Sequence, residues 1–266
     1  MTETGTGPTV VTPELLDTLR GRVDLPEDVW YIVIATTLCV LNRPEEVPTV
    51  YRHAVAAAAA AGHHTGQGQN GVSLADHEQL RIARRIREAL LKTVAIGGLP
   101  KSINALHELK QVVPAHLSDE PYGESPTNRR RDIYETPQSK ILDRGEVFFN
   151  QCYGKVAERV RGNMDHSGTE DLGLAVRLTY SYLLSPTTVL SEAETSFVLI
   201  AGLIPQDVNP QLKGHLKGAL NGGASVEQVR AVRQVAVDVC LAAGMRSLTG
   251  KDAPGGWGWR AEVQDL

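Results

Sequence analysis

Residues 29–41 run without a single charged side chain, and no other feature limits the possible folds as strongly. As a helix this stretch is about 20 Å long. The hydrocarbon core of a bilayer is about 30 Å thick, so no membrane span is expected. A segment that is apolar nearly all round has no face to offer water and must be enclosed by other elements. The partners available are helical. Alternation of the strand type is almost absent from the chain, while helical periodicity recurs along most of it. The expected fold class is therefore all-α.

The helices can be placed by their caps and breaks. Residues 13–23 read as a first helix, with Thr12 as its N-cap and Leu15, Leu16 and Leu19 on one face. Residues 49–61 form another and end in six consecutive alanines. A Gly-rich loop follows at 62–71, and Ser73 caps a long helix in which Ile82, Ile86, Leu90 and Val94 recur at helical spacing. Gly97, Gly98 and Pro100 break it before the helix at 103–113. Residues 114–140 carry Pro114, Pro121, Pro126 and Pro137 around Arg129, Arg130 and Arg131, and read as a linker with its arginines in solvent. Helices are expected again at 144–161, 171–184, 191–203, 209–221 and 225–243.

An internal repeat organises these elements. At an offset of 146, Arg84 meets Arg230, Ile86 meets Val232, Arg87 meets Arg233 and Gly98 meets Gly244. Upstream, His53 meets His215 at an offset of 162, and the Gly/His-rich loop of the first half absorbs the difference. Each half reads as an apolar helix, a His-bearing helix, a Gly-rich turn, a long amphipathic helix and a Gly break. The expected organisation is a first repeat over 1–113, a Pro-rich linker over 114–143, a second repeat over 144–250 and a Gly/Trp-rich tail over 251–266, with Trp257 and Trp259 able to dock on a neighbour.

Charge and cysteine usage exclude several functions. Twenty-seven Lys and Arg against 31 Asp and Glu give a net charge of -4, without the basic stripe that nucleic acid would require. Cys39, Cys152 and Cys240 are too far apart for a CxxC pair or a zinc knuckle, and are expected to be buried thiols in a reducing compartment. His63 and His64 with His53 are not expected to hold a metal. The first twelve residues have no apolar signal region, and Glu3, Glu14 and Asp17 do not suit a transit peptide, so a cytoplasmic protein is expected.

The string SEAETSFVLIAGLIPQDVNPQLKGHLKGALNGGASVEQVRAV, residues 191–232, resembles the carboxymuconolactone decarboxylase family, which is related to the alkylhydroperoxidase D-like proteins. The resemblance rests on an apolar helix opened by acids and a helix in which His215 precedes Gly223 by eight residues. Ser225 and Glu227 then open the next helix. Glu146, Phe149, Tyr153 and Gly154 fit the family's N-terminal helix; in the first half Asn42, Arg43, Pro44 and Glu45 fit a family loop, and residues 90–112 its last helix. The similarity spans 27–113 and 144–250. It implies two family-type helical units in one chain, no cofactor, and a homo-oligomer (dimer, trimer or hexamer).

The peroxidase branch of that family uses a CxxC pair and a glutamate. Counting from His215, Val208 and Gln211 occupy the cysteine positions and Ser196 the glutamate position, so thiol peroxidase activity is not expected. The decarboxylase branch implies His215 as the proton-transfer group, with Glu192 or Glu194 orienting it and Gln211 and Ser196 beside it. Lys213 and Lys217 would hold a substrate carboxylate, and His53 is the counterpart in the first half. Two readings stay open: a cofactor-free lyase or isomerase acting on a small lactone or carboxylic acid, and a non-catalytic binding or assembly module.

Overall fold

A computed structural model describes residues 9–61, 74–117, 119 and 125–246. Among them there are helices and turns and no strands. The chain is all-α. The Gly/His loop with His63, His64 and Ser73, and the tail with Trp257 and Trp259, lie outside the described residues.

The charge-free stretch forms α2 (Trp30–Val40), and all eleven of its residues are buried. It has no polar stripe and needs none, because α3 (Val47–Ala60), α4 (Leu74–Lys92), α11 (Glu192–Leu203) and α13 (Val226–Ala242) surround it. Enclosure is complete within one chain, so this helix does not demand a partner subunit. Each large side chain it buries is worth about 1.5–3 kcal/mol. α1 (Pro13–Arg20) closes one side, with the Thr12 hydroxyl accepting from the Leu15 amide as the sequence predicts. α11 is a second helix buried at the centre. It is buried from Thr195 to Leu203 and begins in a reciprocal capping box between Ser191 and Glu194.

The order of elements recurs. α2, a short turn, α3, α4, the one-turn α5 (Val94–Gly97) and Gly98 are followed later by α11, a short turn, α12 (Asn209–Asn221), α13 and Gly244. His53 and His215 are each the seventh residue of their helix. Gly98 and Gly244 both adopt positive φ, +89° and +86°, a conformation that strains any residue with a Cβ. α6 (Leu99–Val112) starts immediately after Gly98, four residues before the helix expected at 103.

The segment expected to be a linker is built into the fold. α7 (Arg129–Tyr134) lies within it, and α8 (Gln138–Tyr153) starts before residue 144 and stops at Gly154, ahead of α9 (Ala157–Asp165). Arg129 is buried, contrary to the expectation of a solvated arginine run; only Arg130 and Arg131 are exposed. Its guanidinium makes two bonds of 2.7 and 2.6 Å to Glu88, itself 3% exposed.

A six-residue π-helical turn, Thr179–Leu184, explains why cations gather here. It continues α10 (Asp171–Leu178) and ends at Leu184, so the carbonyls of its last turn have no helical donors. Arg144 donates to Ser181 O, Arg129 to Tyr182 O and Leu183 O, and the Lys92 ammonium to Leu184 O, Pro186 O and Thr195 Oγ1. Cations are favoured at a helix C-terminus for the same reason. Lys92 is fully buried, and burial brings its pKa down to about 7 despite the opposing pull of Glu88.

Candidate functional site

α12 carries His215 on the side that faces α8 and α11, and the helix spacing decides what accompanies it. Leu212, Leu216 and Ala219 are buried on the same helix, whereas Gln211, Lys213 and Lys217 are exposed. The structure therefore does not bring Gln211, Lys213 or Lys217 to the imidazole. Positions i+2 and i-2 on a helix point away from residue i, which separates both lysines from His215.

The imidazole instead meets α8. Cys152 Sγ lies 3.6 Å from His215 Nδ1, and the Tyr153 ring is 6.0 Å from the His215 ring, centroid to centroid. Ser196 of α11 is 2% exposed and, on the Cys152 side, opposes the rise of the thiol pKa. Gly218 makes this approach of helices feasible: a Cβ there would stand 2.5 Å from Cys152 Sγ. Asn221 Nδ2 donates to Cys152 O at 3.0 Å and fastens the end of α12 to the end of α8. Beyond Tyr153, its hydroxyl lies 3.1 Å from that of Tyr180 in the π-helical turn.

Burial controls the electrostatics. It lowers the His215 pKa to about 4 and raises the Cys152 pKa to about 12, so both groups are uncharged at neutral pH. This is a neutral thiol–imidazole pair, not the thiolate–imidazolium pair of an activated nucleophile. Its chemistry is proton exchange and hydrogen bonding in a dry environment. Burial also pushes the Tyr153 hydroxyl up to about 12.

The two acids expected to orient His215 are engaged elsewhere. Glu194 closes the cap of α11 and forms an ion pair of 2.5 Å with Arg85, which also donates to Tyr31. Glu192 accepts a hydrogen bond from Gln151 Nε2. That bond ties α11 to α8 one residue before Cys152, so Glu192 supports the site from outside it. His53 is half-buried, 3.0 Å from Asp17 of α1 and edge-on to Trp30. The two histidines share a helix position and differ in cover: α1 presents a carboxylate to one, and α8 presents a thiol to the other.

Cys152 is the residue that sequence reasoning missed. It occupies no family thiol position, and only its adjacency to Tyr153 and Gly154, within the stretch resembling the family's first helix, linked it to the His215 half. Among the described residues no group of three or more His, Cys, Asp or Glu side chains is placed to hold a metal ion.

No protein-family model matches the chain. Two named relatives do. Peroxisomal protein 2 of Schizosaccharomyces pombe is 34% identical over 219 residues, covering 81% of this chain and 87% of that protein. Peroxisomal protein 2 of Saccharomyces cerevisiae is 32% identical over 246 residues, covering 79% of this chain and 87% of that protein. At this identity and coverage, the chain belongs to the family of the Peroxisomal protein 2 proteins.

Proposed function

We propose that the chain is a carboxymuconolactone decarboxylase-like protein, a cofactor-free lyase or isomerase that moves a proton on a small lactone or carboxylic acid through His215. The observation that carries this reading is the neutral imidazole held against Cys152 and Ser196 in a dry seam. A neutral imidazole accepts a proton at its free ring nitrogen without first losing a charge, and the imidazolium so formed returns it. The repeated element order, with a histidine seventh in α3 and in α12, supports descent of both halves from one helical unit. The decisive assay follows loss of absorbance and release of carbon dioxide from a panel of carboxylated lactones and β-keto acids. His215→Ala should lower turnover by about 10²–10⁴-fold. Cys152→Ala should change it less, and Cys39→Ala and Cys240→Ala not at all. Absence of turnover with every compound would favour a non-catalytic binding or assembly module instead.

The relatives' names supply the setting. We infer a peroxisome-related role for this chain, in place of the cytoplasmic expectation, and a fluorescently tagged chain should overlap a peroxisomal marker. Self-association belongs to the same proposal. Leu99 and Ile103, one turn apart on α6, are 57% and 54% exposed. A monomeric mass by light scattering at micromolar concentration would count against it.

A further inference from the structure

A cavity of about 200 Å³ opens between α8, α9, α10 and the π-helical turn. Its walls are apolar: Leu142, Phe149, Met164, Val176 and the ring of Tyr180. Phe149, Met164, Val176 and Tyr180 belong to a second, smaller core that is separate from the one around α2. Arg161, Arg177 and Glu146 also line the cavity. Known ligand cavities measure about 300–1,000 Å³, and one of about 150 Å³ holds benzene, so this one suits a ligand of roughly ten heavy atoms.

The charged groups determine what such a ligand carries. The Arg161 guanidinium lies 5.4 Å from the Phe149 ring centroid, donates to Asn150 Oδ1 at 2.8 Å and faces Glu146 Oε1 at 3.3 Å. Glu146 is 57% exposed, and an ion pair of that kind is worth about 0–1 kcal/mol. It is readily exchanged for another carboxylate. Arg177 differs: it donates to Asp165 Oδ2 at 2.7 Å, and Asp165 Oδ1 is buried with no hydrogen-bond partner. That oxygen repels a second anion and leaves Arg161 as the position for one. The π-helical turn contributes Tyr180 and Ser181 to the wall, and such turns are frequent at functional sites.

We propose that this cavity binds a small apolar monocarboxylate, with its carboxylate on Arg161 in place of Glu146 and its hydrocarbon part against Phe149, Met164, Val176 and Tyr180. The site is independent of proton transfer at His215. Tyr180 lines the cavity, and its hydroxyl meets that of Tyr153, whose ring in turn faces His215.

Isothermal titration calorimetry on the full chain with hexanoate and 3-phenylpropanoate tests the proposal. Saturable binding is expected, with hexanamide weaker by about tenfold or more because it lacks the charge. Arg161→Gln should weaken hexanoate by about tenfold or more, and Val176→Trp should abolish binding by filling the cavity. Glu146→Gln, an exposed change that leaves the fold alone, should tighten binding by removing the competing carboxylate. His215→Asn should leave binding unchanged, so failure of the proton-transfer reading and failure of this one are separable. No saturable binding, equal affinity for hexanamide, or no effect of Glu146→Gln would overturn the proposal. So would binding that survives both Arg161→Gln and Val176→Trp, or loss of binding in His215→Asn.

Discussion

Acid should destabilise this protein partly through one histidine. His215 is 5% exposed, and burial holds its pKa at about 4 against an ordinary value of 6.5. Between those values the unfolded chain binds a proton that the folded chain does not. The sign follows: above pH 6.5 the group leaves stability untouched, and as pH falls from 6.5 towards 4 stability is lost. At about 1.4 kcal/mol per pH unit the full loss is about 3 kcal/mol, of which about 2.5 kcal/mol is gone by pH 4.5. That is a substantial part of a typical total of about 5–15 kcal/mol. Glu194 also loses stabilisation in acid. Burial works against its ionisation, but the hydrogen bond and charge of Arg85 outweigh burial and lower its pKa. The slope of the native protein alone is therefore not diagnostic. The comparison that isolates His215 is with His215→Gln, which is polar and does not titrate. Guanidinium denaturation of both proteins at pH 7.0, 6.0, 5.0 and 4.5 should show their stability difference moving in favour of the variant by about 2 kcal/mol across that range. A difference that stays constant with pH would refute the reasoning, because His215 would then not be a buried neutral group.

Arg129→Met should destabilise by about 3 kcal/mol, since it removes both guanidinium bonds to the buried Glu88 carboxylate and leaves it only Lys92 at 3.7 Å, while Arg131→Met on the exposed face should stay within about 0.5 kcal/mol; urea midpoints decide. Gly218→Ala would set a Cβ 2.5 Å from Cys152 Sγ and should cost about 1–3 kcal/mol, most of it recovered when Cys152→Ala is added. Ser225→Ala removes the reciprocal cap between Ser225 and Gln228 at the start of α13 and should cost about 1 kcal/mol, read as a fall in Tm.

Local patterns made the helices legible. Thr12 and Ser225 cap where their side chains can reach the amides of their own first turn, and Gly98 and Gly244 mark breaks because both need positive φ. Residues 114–143 were not legible. Arg129 belongs to a buried ion pair whose acid, Glu88, is 41 residues away, and its other acceptors are carbonyls of the π-helical turn. Neither leaves a trace in the charge pattern around Arg129, which looks like a solvated run. The site was legible in part. His215 stood out by its spacing to Gly223, and the exposure of Gln211, Lys213 and Lys217 follows from where α8 and α11 contact α12.

The helical class, the buried position of residues 29–41 and the placement of His53 and His215 on helices are encoded locally. These follow from periodicity, capping and the absence of charge, all of which act over a few residues. Tertiary structure alone decided what each histidine meets. Asp17 from α1 reaches His53, and Cys152 from α8 reaches His215, across 36 and 63 residues of chain. Burial on that scale turns one imidazole neutral and dry, because the cost of an unpaired charge is set by surrounding atoms that no local pattern encodes.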